Sequence, residues 1–224
     1  MDANDATRIA ELEADNLRLR RLLDARGAPE ELRHRLRSTV GMLRAIIRRS
    51  AESRAGDIES YIAHIEDRMD AIARAQSQAD SRGWIDLHDL IAEELFRYGA
   101  GEGERAVLDG PCVRLRPRAG QILALAFHEL AVNAIEHGVL GHAEGRVRVD
   151  WSLQDGGQRL GLLWQEQGAR VQAEPVRSGF GTEVLTRMLR YELKAETDLA
   201  FERDGLRCSI TMPMSDAVGT VHVP

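Results

Sequence analysis

The sequence predicts an α+β protein: an N-terminal coiled-coil helix, a helical hairpin that would make a four-helix bundle in a dimer, and then an α/β-sandwich domain. Three observations predict it. Apolar residues recur at spacings of 3 and 4 through residues 9–72. They alternate one by one through 147–164 and again through 206–212. Between these regions a stretch opened by Pro117 runs largely apolar to Gly138. The first pattern has the period of a helix and the second that of a half-buried strand.

The elements follow in order. Ile9, Leu12, Asn16, Leu19 and Leu23 form a heptad seam in residues 1–27, and Asn16 takes an a position, which favours a fixed register and two strands. Gly27 breaks that helix and Pro29 suits the first turn of the next. Leu36, Val40, Leu43 and Ile47 make one stripe; after the Gly56-Asp57 turn, Ile58, Ile62, Ile65, Met69 and Ile72 make another. Residues 28–80 therefore predict a hairpin with two apolar stripes, which pairing with a second copy would bury. A parallel homodimer on residues 9–72 is the expected assembly.

Residues 84–214 form the second domain. Trp84 to Tyr98 reads as helix, and short strand pieces flank Gly110-Pro111. Pro117 opens a long helix ending near Gly138. Val147 to Leu153 and Leu160 to Trp164 flank the Gly156-Gly157 turn, a hairpin by pattern. Residues 167–178 read as loop and Thr182 to Leu193 as helix. A second hairpin turns at Asp204-Gly205. One mixed sheet with helices on one face is expected, with a linker hinge near 80–84 and a frayed tail over 215–224.

Composition narrows the function. The 224 residues are 43% hydrophobic and 29% charged, with net charge −6. That balance suits a cytoplasmic protein and argues against general nucleic-acid binding. Seven arginines between Arg33 and Arg54 meet a single acid, Glu52, which fits an RNA contact or, more commonly, a solvated helix face. No apolar run approaches ~20 residues, so no membrane span is expected, and no signal peptide is read at the start. Cys112 and Cys208 are read as reduced, buried thiols.

Three constellations carry chemistry. His34 points roughly 150° from its helix's apolar stripe and stands between Arg33 and Arg35, cations that favour the neutral, nucleophilic imidazole. An ordinary surface histidine is the competing reading. In His128-Glu129-Leu130-Ala131-Val132-Asn133, Glu129 and Asn133 lie four apart on one helix face. Together they could help hold Mg²⁺, or they could be a surface polar stripe. Gly179-Phe180-Gly181-Thr182 precedes a helix, where glycines allow close backbone approach and the helix start favours anions. Glu166, two residues after Trp164 at a strand end, could accept a hydrogen bond from an adenine amino group.

Taken in this order, residues 28–213 resemble the HWE subfamily of bacterial sensor histidine kinases. The resemblance is carried by His128 within HELAVNAIEHG, by Trp164-Gln165-Glu166, by HRLRSTVGMLRAIIRRS from His34, by GFGTEVLTRMLRYEL and by GLRCSITMP. It implies a sandwich of the histidine kinase/Hsp90/gyrase type that uses ATP and Mg²⁺. It implies that His34 is the phosphoacceptor, that Asn133 binds Mg²⁺ with Glu129 nearby, and that Glu166 reads the adenine. Gly168, Gly179 and Gly181 would shape the nucleotide lid, with His137, Phe180 and Thr182 beside the nucleotide. His128 and Trp164 are signature residues, and Arg177, just before the glycines, is read as a phosphate contact. A response-regulator receiver domain is the implied partner, and an upstream sensor could act through the N-terminal helix.

The sequence departs from the family pattern at Ser38, where Asn is common, and at Glu136, where Lys is frequent. It departs again at Gly168-Ala169-Arg170, where Gly-Gly-Pro is usual, and at Lys194-Ala195, where Gly-Gly is common. The competing functions are a phosphotransfer or phosphatase adaptor on the same fold, a serine/threonine kinase or ATPase of the wider superfamily, and an RNA-binding coiled coil.

Overall fold

A computed structural model describes residues 58–168 and 179–221, together with Gly41 as a helical residue. The predicted coiled coil, the first hairpin helix with His34 and Ser38, and Arg177 lie outside the described residues. The chain divides between Tyr61 and Ile62 into two compact units. The packing described here belongs to the second.

Helix α1 (Ile58–Arg82) is longer than its apolar stripe predicts. It lacks Gly and Pro throughout and stops where Gly83 turns to a φ of +79°. Its buried face is Ala71, Ile72, Ala75 and Ala79, whereas Ile62 and Met69 of the predicted stripe are exposed. The region expected to act as a hinge is thus helical as far as Arg82, and the helix packs with the sandwich from Ile62 on.

The predicted helix at Trp84–Tyr98 begins three residues late. Ile85–Asp86 is a short strand, β1, and the helix α2 is Leu87–Arg97. Asp86 causes the switch: its carboxylate accepts from the backbone N–H of His88 (2.9 Å) and Asp89 (3.3 Å), capping the helix. Strands β2 (Ala106–Asp109) and β3 (Val113–Leu115) precede α3 (Pro117–Glu136), which carries Pro117 in its first turn. Fourteen of its residues from Ala119 to Ala134 are buried, so α3 is the central helix of the domain.

The sheet is two sheets, where one was expected. Strands β4 (Arg146–Gln154), β5 (Arg159–Gln167), β6 (Glu196–Glu202) and β7 (Gly205–Pro213) join β2 in the order β2-β4-β5-β7-β6. The sheet is mixed because β2 runs parallel to β4 while the other pairs are antiparallel. A second sheet, β1-β3-β8, is closed by β8 (Gly219–Val221) from the expected frayed tail. The tail is ordered as far as Val221, because Gly219–Val221 pairs with Val113–Leu115 and Val218 is buried.

Both predicted hairpins form, β4–β5 and β6–β7. On the large sheet one face is buried: Val147, Val149 and Trp151 of β4, Leu160, Leu162 and Trp164 of β5, Cys208, Ile210 and Met212 of β7. This face packs under the helices, as the alternation predicts. The last helical run starts at α4 (Phe180–Glu183), passes through a π-turn at Val184–Met188 and ends in α5 (Leu189–Leu193). Cys208 is buried, and burial pushes its thiol up to about 12. Cys112, expected to be buried, is exposed, because it sits in the β2–β3 loop beside Asp86. Among the described residues no helix is long and apolar enough to cross a membrane.

Candidate functional site

The C-terminal half of α3 carries two groups of functional side chains. The first is at its end. Glu166 is 6% exposed on β5, on the buried face it shares with Trp164 two residues before. Its carboxylate accepts from Val139 N–H (3.3 Å) and from the Trp164 indole N–H (3.4 Å). Burial raises its pKa from the ordinary value, and the hydrogen bonds from Val139, Trp164 and the Leu206 backbone oppose that rise. Gly138 leaves room beside it: a Cβ there would collide with Glu166 Oε2 and the Ala134 backbone. A buried carboxylate approached by a bare glycine backbone is well suited to accept from the edge of a planar amine.

The second group surrounds Glu129 and Asn133. Glu129 is 4% exposed, and Arg68 of α1 grips it with both arms: Nε to Oε1 at 2.6 Å and Nη2 to Oε2 at 3.2 Å. The Arg68 guanidinium also lies 4.0 Å from the centre of the buried Phe180 ring. Asn133 is half-buried one turn further on. Gly181 packs against both, since a Cβ there would stand 2.9 Å from Glu129 Oε2 and 3.3 Å from Asn133 Nδ2. The glycine turn therefore lies against the Glu129/Asn133 face. Glu129 is not an open ligand, however, because Arg68 occupies it.

His128 faces another way. It is 2% exposed, with Nδ1 2.9 Å from Glu94 Oε1 of α2 and 3.2 Å from the Tyr98 hydroxyl. Arg74 of α1 donates to Glu94 Oε2 at 2.6 Å. Burial would raise the Glu94 pKa, but His128 and Arg74 outweigh it and hold the carboxyl below its ordinary range. Burial first, and then the Glu94 charge, push the Tyr98 hydroxyl upward. The signature histidine thus ties α3 to α2, and through Arg74 to α1, on the side away from Asn133.

The remaining expected residues scatter around this centre. His137 is exposed, with Nε2 3.6 Å from Glu136. Gly168, with φ of +94°, ends β5 against the Glu144 carbonyl. Gly179 opens α4, and Thr182 is half-buried, its carbonyl accepting from the Thr186 hydroxyl at 2.6 Å. Sequence reasoning missed Arg68, Arg74, Glu94 and Tyr98. One signal was available: Ala71, Ala75 and Ala79 recur every four residues and mark the packed face of α1, on which Arg68 also lies.

Chains with this architecture are known. The blue-light activated histidine kinase of Erythrobacter litoralis superposes with TM-score 0.63 at 17% identity, over 83% of this chain and 60% of that one. The histidine kinase domain of the same protein gives TM-score 0.51 at 18% identity, over 75% of this chain and 95% of that one. The fold is that of a histidine kinase core. In sequence the chain is of the HWE histidine kinase type. Residues 31–112, which include His34, match the family model for HWE histidine kinases. A blue-light-activated histidine kinase of Rhizobium johnstonii is 33% identical over 215 residues, covering 95% of this chain and 58% of the relative. Another from Erythrobacter litoralis is 34% identical over 193 residues, covering 82% and 52%. The chain thus spans somewhat over half the length of these relatives.

Proposed function

We propose that this chain is the core of an ATP-dependent protein histidine kinase that phosphorylates His34 and passes the phosphoryl group to an aspartate of a response-regulator receiver domain. The observation that carries this reading is the pair of groups on α3: a buried Glu166 beside bare Gly138, and Asn133 with Glu129 against Gly181. They fit a nucleotide, with Glu166 accepting from the adenine amino group, Asn133 offering an amide oxygen to Mg²⁺, and the glycine turn leaving space for phosphates. Bound ATP and Mg²⁺ would supply the γ-phosphoryl group and neutralise its charge.

In this reading the neutral His34 imidazole attacks phosphorus through its free nitrogen. A nitrogen–phosphorus bond forms, the oxygen bridge to the β-phosphate breaks, and ADP leaves. Transfer to the partner reverses the logic: an aspartate oxygen takes the phosphorus and His34 regains its lone pair. Arg33 and Arg35 steady the charge at His34. Gly168, Gly179 and Arg177 belong to the nucleotide lid. The protein works in the cytoplasm as a homodimer through residues 9–72, and an upstream sensor acts through the N-terminal helix.

Incubation with labelled ATP and Mg²⁺, with mapping of the modified residue, tests the reading. Acid-labile label on His34 is expected. His34→Ala should lose it while binding nucleotide as the parent does, and Asn133→Ala should lose Mg²⁺-dependent binding. Equal labelling of parent and His34→Ala overturns the assignment. Transfer from a phosphorylated regulator without labelling from ATP would leave the adaptor reading instead. Sedimentation at micromolar concentration tests the dimer: a mass near 24.9 kDa independent of concentration refutes it.

A further inference from the structure

Arg68 joins three elements. It lies on the packed face of α1 and is itself 9% exposed. It binds both oxygens of Glu129 on α3, and its guanidinium rests on the Phe180 ring at the start of α4. One side chain of α1 thus touches both the α3 side and the glycine-turn side of the Glu129/Asn133 group. A carboxylate whose two oxygens are held by a guanidinium is already neutralised. With both oxygens engaged in this way it is not open as a ligand for a hard cation.

We propose that Arg68 is a latch: α1 keeps Glu129 paired and unreactive through Arg68, and the site becomes competent when a shift of α1 breaks the pair. The proposal rests on the kinase reading above. Helix α1 is continuous from Ile58 to Arg68, a distance of ~15 Å along the axis. A small rotation or slide there is delivered to Glu129 without passing through a loop. A buried ion pair suits this role, because its two charges are either together or separated at high cost, with little in between. Phe180 adds a second consequence: releasing the guanidinium also frees the ring beside Gly181.

The test compares the full chain with Arg68→Gln and Arg68→Lys. Each is first checked for folding by thermal melting. Two quantities are then read: the rate of acid-labile labelling from ATP, and the affinity for a non-hydrolysable ATP analogue with and without Mg²⁺. The latch requires Arg68→Gln to label faster, by about fivefold or more for a coupling of ordinary strength, and to gain Mg²⁺-dependent affinity. Arg68→Lys, which keeps the charge but loses the fork and the stacking, should fall between it and the parent. If Arg68→Gln fails to fold, Arg68→Lys carries the test and must exceed the parent. A folded Arg68→Gln that labels at or below the parental rate with unchanged affinity overturns the latch. If no chain labels at all, the kinase reading fails by itself. The latch is then decided by the affinities: a gain in Arg68→Gln keeps it, and equality in all three removes it.

Discussion

His128 Nδ1 lies 2.9 Å from Glu94 Oε1, with both side chains out of reach of solvent. Glu94 is shared: its other oxygen accepts from Arg74 at 2.6 Å. This carboxylate is the hub that holds α1, α2 and α3 in one register. Removing it leaves a buried imidazole and a half-buried guanidinium without their acceptor.

Glu94→Ala should therefore lower stability by about 3 kcal/mol at neutral pH, the range for breaking a buried charge pair. Because the folded state holds the Glu94 carboxyl below its ordinary range, its contribution is complete above that range and is lost as pH falls through the folded value. Denaturant midpoints of parent and Glu94→Gln should differ at pH 7 and converge in acid. A double cycle with His128→Phe should show strong coupling; additive losses would contradict the shared hub.

Much of the fold was legible because it depends on local period. The β4–β5 and β6–β7 hairpins and the Pro117 helix follow from alternation, turn residues and one proline. β8 was not legible, since a three-residue strand declares itself only through its partner β3. Asp86 was readable as a helix cap, and using it would have placed the start of α2 correctly. In the site, spacing puts Glu129 and Asn133 on one helix face, and the glycine turn packs against them. The partners of Glu129 and His128 were not, because Arg68 is 61 residues and Glu94 34 residues away in the chain. Such pairings are set by packing between helices and leave no local pattern.

Glu166 obeys the opposite sign. Burial raises its pKa, so the ionised form is disfavoured on folding. The penalty is absent below the unfolded value near 4.5 and grows as pH rises through the folded value. Glu166→Gln should thus melt higher than the parent at pH 7, with the gap closing towards pH 4.5. The same change should weaken binding of an adenine nucleotide more than of a guanine nucleotide. A variant that gains stability but keeps its base preference would separate the buried charge from nucleotide reading.

Lys194 caps α5 in the left-handed region, at φ of +55°, where the family pattern has glycine. Its amide still closes the turn on the Leu189 carbonyl. The side chain is exposed and sits 6.0 Å from the Tyr191 ring, a weak contact. Lys194→Gly should relieve the backbone and raise stability by about 1 kcal/mol. Thermal melting checks it, and Lys194→Ala, which gains no freedom at φ, serves as the control.

Gly181 tests the packing of the site itself. A Cβ there would stand 2.9 Å from Glu129 Oε2, and a free glutamate tip would simply swing away. Here it cannot, because Arg68 fixes both oxygens and Phe180 lies under the guanidinium. Gly181→Ala must therefore displace the Arg68–Glu129 pair or move the start of α4. Either route should lower stability by about 1–3 kcal/mol, as overpacking does in a filled interior. Combining it with Arg68→Gln releases the carboxylate, so the double variant should lose less than the sum of the two single losses. Denaturation of the four chains measures this directly. Strict additivity would mean that Glu129 is not pinned between Arg68 and Gly181.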